Sequence, residues 1–281
     1  MPFDKWNLPF FYPTKTSAGV SGSGNPFFFQ QSDDITDDPN FNGEGDVSNS
    51  SGGEWTFNTD GPTSVQIFRN SDSADSIGGC NMNFAQTLDR GYGYKADDPR
   101  DIELKFLIRF DGGSGAGFAI EGPTGRHSGS GCCQGFSYKV DIDWESNPPV
   151  FRFRKEMWHV SNHNDPVTGL FTDSRFNFDL VDHNDFVGFG YVHYVKENGV
   201  SSGVDSVVLE FWGNIHPETN PNDWFLIKRT EDKGNWGDDG DDCNGDPDQI
   251  GAWSNSNFRL KSNANKGEFR LKHLSLREID P

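Results

Sequence analysis

The sequence predicts an all-β protein, a sandwich of two antiparallel sheets. Short segments throughout the 281 residues alternate apolar and polar side chains with period two. Gly, Asn, Asp and Pro clusters separate them, as turns require. No stretch of helical length repeats apolar residues at i, i+3, i+4 and i+7. The 25 Phe and 8 Trp are ample for a packed core, although the overall hydrophobic content is only 33%.

Each strand carries its own signal. SVQIFRN (64–70) alternates. DIELKFLIRF (101–110) places Ile102, Leu104, Phe106 and Ile108 on one face. GFAIEG (117–122) is short. FSYKVDIDW (136–144) turns Phe136, Tyr138, Val140 and Ile142 inward. VFRFRKEMWHV (150–160) follows the Pro148–Pro149 turn. FVGFGYVHYV (186–195), SVVLEFWGN (206–214), DWFLIKRT (223–230), FRLKS (258–262) and GEFRLKHLSLREI (267–279) complete the series. The first 60 residues are poorer in strand pattern: SAGVSGSGN (17–25) and DVSNSSGGEW (46–55) read as loops. The expectation is one domain over 1–281, with 1–60 a loop-rich segment packed on the sandwich. Asn49-Ser50-Ser51 matches a glycosylation sequon.

Charge narrows the partners. A net charge of −19 repels nucleic acid and anionic membranes. It also suits solubility, high salt or calcium-rich surroundings. No apolar run reaches the length of a membrane span. The opening MPFDKWNLPFFYPTK lacks a charged region followed by an apolar one and is not read as a signal peptide. An extracellular, cell-surface or virion-surface location is expected. The four cysteines, Cys80, Cys132, Cys133 and Cys243, form no C-x-x-C pair. Two disulfides would allow three connectivities. Adjacent Cys132 and Cys133 point to opposite sides of an extended chain and call for different partners. Cys133 with Cys243 and Cys80 with Cys132 is the favoured arrangement, which implies an oxidising compartment. Buried free thiols are the alternative.

One segment departs from the acidic background. Residues 126–159 hold five bases (Arg126, Lys139, Arg152, Arg154, Lys155) against four acids (Asp141, Asp143, Glu145, Glu156), a local +1 in a chain at −19. Alternation puts Arg152, Arg154, Glu156 and Trp158 on the face opposite Phe151 and Phe153. A hairpin across Pro148–Pro149 would bring Lys139 onto that face. Arginine forks grip carboxylates, and an indole face suits a sugar ring. The pattern predicts a groove for an acidic, uronic-acid polysaccharide, with Arg126, Lys139, Arg152, Lys155, Glu156 and Trp158 binding substrate. A ladder of salt bridges from Arg152 and Arg154 to Asp141 and Asp143 is the plain alternative. If the groove cleaves, β-elimination fits: Arg154 neutralises the uronate, while His127, His159 and Tyr138 move protons. A hydrolase would need two carboxylates instead, such as Glu156 with Asp141 or Asp143.

The acidic loop DKGNWGDDGDDCNGDPDQ (232–249) carries seven Asp against one Lys. Such oxygen density suits Ca2+, with Asp238, Asp239, Asp241, Asp242 and Asp246 as ligands. A solvated acidic loop is the alternative. Two non-catalytic readings stand beside the enzyme: a glycan-binding module, and a self-assembling surface or virion subunit whose N-terminal Phe10, Phe11, Phe27, Phe28 and Phe29 meet a neighbour.

Tyr12-Pro13-Thr14-Lys15, Gly125-Arg126-His127, Cys133 with Tyr138-Lys139, Arg154-Lys155-Glu156-x-Trp158-His159-Val160, Trp236-Gly237 with Asp242-Cys243-x-Gly245, and Leu274-Ser275-Leu276-Arg277-Glu278-Ile279 span almost the whole chain. Together they resemble a group of uncharacterised archaeal and environmental concanavalin-like proteins. The resemblance implies a two-sheet antiparallel jelly roll, again pairs Cys133 with Cys243, and brings no activity. More distantly, the Arg-x-Arg-x-Glu strand is similar to the sheet motif of alginate and glucuronan lyases. The Gln-Ile-His and Tyr-Phe-Lys-Ala-Gly motifs of alginate lyases are missing here.

Overall fold

A computed structural model describes residues 3–15, 28–31, 41–44, 46–50, 52–58, 63–68, 100–113, 117–124, 137–156, 164–166, 169–180, 183–234, 236, 257–262 and 267–281. These residues are almost entirely strand. In chain order they form β1 (Phe28–Gln30), β2 (Phe41–Glu44), β3 (Asp46–Ser50), β4 (Glu54–Asn58), β5 (Thr63–Phe68), β6 (Ile102–Gly113), β7 (Gly117–Thr124) and β8 (Ser137–Asp143). They continue with β9 (Val150–Glu156), β10 (Asn164–Pro166), β11 (Val187–Ser201), β12 (Val204–Asn214), β13 (Phe225–Asp232), β14 (Asn257–Ser262) and β15 (Gly267–Glu278). One 3-10 turn, Ser174–Phe176, is capped by Asp173, whose side chain accepts from the Arg175 N–H.

The strands make two antiparallel sheets. The eight-stranded sheet runs β13-β12-β11-β6-β15-β4-β3, with β1 also against β15. The seven-stranded sheet runs β10-β9-β8-β7-β14-β5-β2. This is a two-sheet antiparallel β-sandwich, as the alternation predicted. Only some neighbours are sequence-local hairpins. β15 lies against β6, and β14 against β7, each more than a hundred residues away. Residues the sequence pattern left as loop close the sheets: β3 and β4 form a hairpin through Gly52 and Gly53, both at positive φ. Asn49-Ser50 lies within β3.

Alternation decides what the sheets enclose. Phe118, Ile120, Val140, Ile142, Phe151, Phe153, Phe258 and Leu260 face inward from the seven-stranded sheet. Leu104, Phe106, Ile108, Phe189, Phe211, Phe269 and Leu276 meet them from the other. Aromatic pairs bridge the layers, among them Phe118–Phe269 at 5.3 Å and Phe151–Phe211 at 5.2 Å between centroids. The outer face of the eight-stranded sheet is covered by residues 3–15. Leu8 packs with Leu107 and Phe186, and Phe11 and Tyr12 with Val192, Val208 and Ile279. Gly190 lets the Phe11 ring in: a Cβ there would stand 2.5 Å from it. Phe10 is buried, and Phe11 stacks on Trp212 at 4.6 Å. These two aromatics are therefore part of the fold, which corrects the expectation that they are exposed to meet a neighbour. Phe27, and the side chains of Phe28 and Phe29, lie outside the described residues.

Candidate functional site

The outer face of the seven-stranded sheet is built from β9, β8, β7 and β14 in fixed register. β8 and β9 pair as the predicted hairpin, with Lys139 opposite Arg154 and Asp141 opposite Arg152. The register continues from Lys139 to Glu121 on β7 and from Asp141 to Ala119. It then reaches Arg259 beside Glu121 and Lys261 beside Ala119 on β14. Two side-chain rows result, because residues two apart share a face. One reads Arg154, Lys139, Glu121, Arg259. The other reads Arg152, Asp141, Ala119, Lys261. Five cations stand against two carboxylates in these rows, while the chain as a whole carries −19.

The ion pairing within the rows is uneven. Arg152 Nη2 donates to Asp141 Oδ2 at 3.0 Å, and Arg154 Nη1 donates to the same oxygen at 3.1 Å. One carboxylate serves two guanidiniums. All three side chains keep access to water, at 34% for Arg152, 24% for Arg154 and 19% for Asp141. Next to them Glu121 is shared in the same way, with Lys139 at 3.1 Å and Arg259 at 3.9 Å. Asp143, on the same face of β8, is exposed and accepts from the Glu145 N–H at 3.1 Å. Half of the predicted ladder is therefore present: Asp141 pairs with both arginines.

Two predicted site residues point the other way. Lys155 follows Phe151 and Phe153 on the inner face of β9, and Tyr138 precedes Val140 on the inner face of β8. Both are buried. The Tyr138 hydroxyl donates to Asp232 Oδ2 at 2.6 Å, and Lys155 Nζ donates to the same atom at 2.9 Å. Lys155 Nζ also donates to the Trp236 carbonyl at 3.2 Å, while the Gly234 N–H donates to Asp232 Oδ1 at 2.9 Å. This cluster joins β8 and β9 to β13 across the sandwich and fixes the chain where the acidic loop begins. Its groups are partnered with each other, out of reach of a ligand on the outer face. Expecting Lys155 to grip substrate beside Arg154 overlooked the alternation that separates them. His193, on β11, lies beside Tyr138 with ring centroids 5.5 Å apart. Its Nδ1 meets the Arg100 carbonyl at 3.0 Å, and burial lowers its pKa to about 4.

Other predicted positions lie outside the described residues: Arg126, His127, Trp158 and His159, the five aspartates Asp238, Asp239, Asp241, Asp242 and Asp246, and all four cysteines. The backbone of Glu156 is described, at the end of β9, opposite Ser137. Among the described residues no three His, Cys, Asp or Glu side chains gather as a metal cluster would require. The sequence reading missed Glu121, Arg259 and Lys261. Alternation in FRLKS, with Phe258 and Leu260 inward, marked the two bases as outward-facing. Which strands they lie beside was set by a pairing far away in sequence.

No protein-family model matches the chain, and no curated protein matches it in sequence. Solved structures do resemble it in fold. Winged bean acidic lectin complexed with methyl-α-D-galactose is similar at 10% identity and a TM-score of 0.42, over 92% of this chain and all 100% of the lectin. A prokaryotic β-1,3-1,4-glucanase (lichenase) from a mouse hindgut metagenome is 10% identical, with a TM-score of 0.44 over 90% of this chain and 99% of its own. A legume lectin-like domain from Entamoeba histolytica is 8% identical, with a TM-score of 0.44 over 86% of this chain and 91% of its own. At such identities the likeness is one of fold. The archaeal grouping and the lyase resemblance gain nothing from it.

Proposed function

We propose that the outer face of the seven-stranded sheet binds an acidic polysaccharide through Arg152 and Arg154. The observation that carries this reading is the pair of part-exposed guanidiniums, Arg152 and Arg154, side by side on the outer face of β9 in a chain at −19. A guanidinium has five N–H donors in a planar fork that matches a carboxylate bidentately. A uronate carboxylate is matched to such a fork. The acidic remainder of the protein disfavours phosphate polymers, so a local cationic face selects for an anion held at close range. Tyr138 faces the interior, and the reading is one of binding in which Tyr138 takes no part.

Isothermal titration with glucuronan, alginate and a neutral glucan tests it. Both polyuronides bind, the neutral glucan does not, and the double variant Arg152→Gln/Arg154→Gln weakens binding by about tenfold or more. Equal affinity for the neutral glucan, or an indifferent double variant, contradicts the reading. Unsaturated sugar ends appearing in the ultraviolet spectrum would make the protein a lyase.

A further inference from the structure

The buried cluster of Lys155, Asp232 and Tyr138 is arranged for chemistry that the outer face does not use. We infer that Lys155 and Asp232 join as an amide, an internal cross-link between the two sheets that forms with loss of one water. This inference is independent of the polysaccharide reading.

The reacting groups are already in contact. Lys155 Nζ lies 2.9 Å from Asp232 Oδ2, and both side chains are fully buried. Lys155 belongs to β9 of the seven-stranded sheet, and Asp232 ends β13 of the eight-stranded sheet, so a bond between them spans the sandwich. Such fixed proximity makes the condensation an intramolecular step. The two side chains have no access to water, which disfavours the reverse hydrolysis. The surroundings are aromatic: the Trp236 ring stands edge-on to Tyr138 at 6.1 Å between centroids, and His193 lies beside Tyr138 at 5.5 Å. His193 brings no charge at neutral pH, since burial lowers its pKa to about 4.

Each neighbouring group fits a step. A proton passes from the Lys155 ammonium to Asp232 Oδ2 along their hydrogen bond, which removes two charges from a dry site. The free amine adds to Cγ, and the Nζ–Cγ bond forms while the carbonyl electron pair moves onto Oδ1. The Gly234 N–H donates to Oδ1 at 2.9 Å and stabilises the developing charge. The Tyr138 hydroxyl, 2.6 Å from Oδ2, gives its proton to this already protonated oxygen and takes one back from the nitrogen. The Cγ–Oδ2 bond breaks, water leaves, and the electron pair on Oδ1 restores the carbonyl. The amide inherits partners already in place. The Gly234 N–H serves its oxygen, and the Trp236 carbonyl, 3.2 Å from Nζ, accepts from its N–H.

Intact-mass spectrometry of the whole protein, reduced and denatured, tests this. The wild type is lighter than its sequence by one water, and a proteolytic digest contains a branched peptide joining Lys155 to Asp232. Lys155→Arg keeps the positive charge but has no amine to add, and it shows the full sequence mass. Tyr138→Phe closes the bond about a hundredfold more slowly, so the freshly made variant starts near full mass and loses water with time. A wild type at full sequence mass overturns the cross-link. So does a mass deficit that persists in Lys155→Arg, as ring closure at Asp111-Gly112 would produce.

Discussion

The outer faces of the two sheets both carry charge, but they use it differently. On the eight-stranded sheet, Arg277 on β15 and Glu103 and Lys105 on β6 are buried beneath residues 3–15. Arg277 Nη2 donates to Glu103 Oε2 at 2.6 Å and to the Tyr12 carbonyl at 2.7 Å. The Phe11 and Tyr12 N–H groups donate to the same Glu103 oxygen, at 3.0 and 3.2 Å, and Lys105 donates to the Pro9 carbonyl. Burial pushes the Glu103 pKa up and those of Lys105 and Arg277 down. Every one of these charges holds the N-terminal segment in place. On the seven-stranded sheet the Arg152–Asp141–Arg154 triad stays in contact with water. Desolvated pairs depend on one another for stability, whereas part-exposed pairs contribute about 0–1 kcal/mol. The part-exposed pair of Arg152 with Asp141 is therefore not a requirement of folding.

The contrast can be broken by substitution. The largest expected effect is at Arg277→Leu, which takes the nearest cation from the buried Glu103. A loss of about 3–5 kcal/mol is expected from chemical denaturation, and a loss comparable to a surface pair would mean the cluster is not as dry as its burial indicates. Lys155→Met comes next, because it leaves Asp232 buried with Tyr138 alone across the sandwich. About 3 kcal/mol of stability goes, while the folded variant keeps its affinity for polyuronide. Lost affinity with stability intact would return Lys155 to the binding site.

His193 sharpens the comparison through pH. In the fold it remains neutral down to about 4, while the unfolded residue takes a proton near 6.5. The unfolded state thus binds the extra proton between these values. Stability contributed by neutral His193 is complete above that window and falls as pH drops from about 6.5 towards 4. His193→Gln should flatten this part of the stability profile measured by denaturation at a series of pH values. An unchanged slope would place the titration elsewhere. The smallest stability effect belongs to Arg152→Gln or Arg154→Gln, at under about 1 kcal/mol each by the same denaturation assay. A loss as large as that at Arg277 would make the triad structural.

Much of this was legible in the sequence, for reasons that can be located. β5 to β9 and β11 to β15 follow period-two patterns strong enough to read directly. The β8–β9 hairpin, with Lys139 on the same face as Arg154, followed from alternation about a Pro-Pro turn. β3 and β4 were not legible, since their Ser, Asn and Gly content resembles a loop and only pairing with β15 makes a strand of β4. The burial of Lys155 was available from its spacing to Phe151 and Phe153, but its charge argued for the surface. The distant partners Asp232, on the other sheet, and the Trp236 carbonyl make burial tolerable. Arg259 and Lys261 were hidden for the converse reason: their side of the strand was clear, but their place beside β7 came from long-range topology.

The most direct measurement is calorimetric titration of glucuronan into the wild type, Arg152→Gln/Arg154→Gln and Lys155→Met, at low salt and near 1 M, where screening acts within about 3 Å. The account predicts tight binding at low salt for the wild type and Lys155→Met, weakened by salt, with the arginine double variant stable but weak. Undiminished binding by that double variant, with Lys155→Met the one that loses it, would contradict the assignment of binding to the outer face.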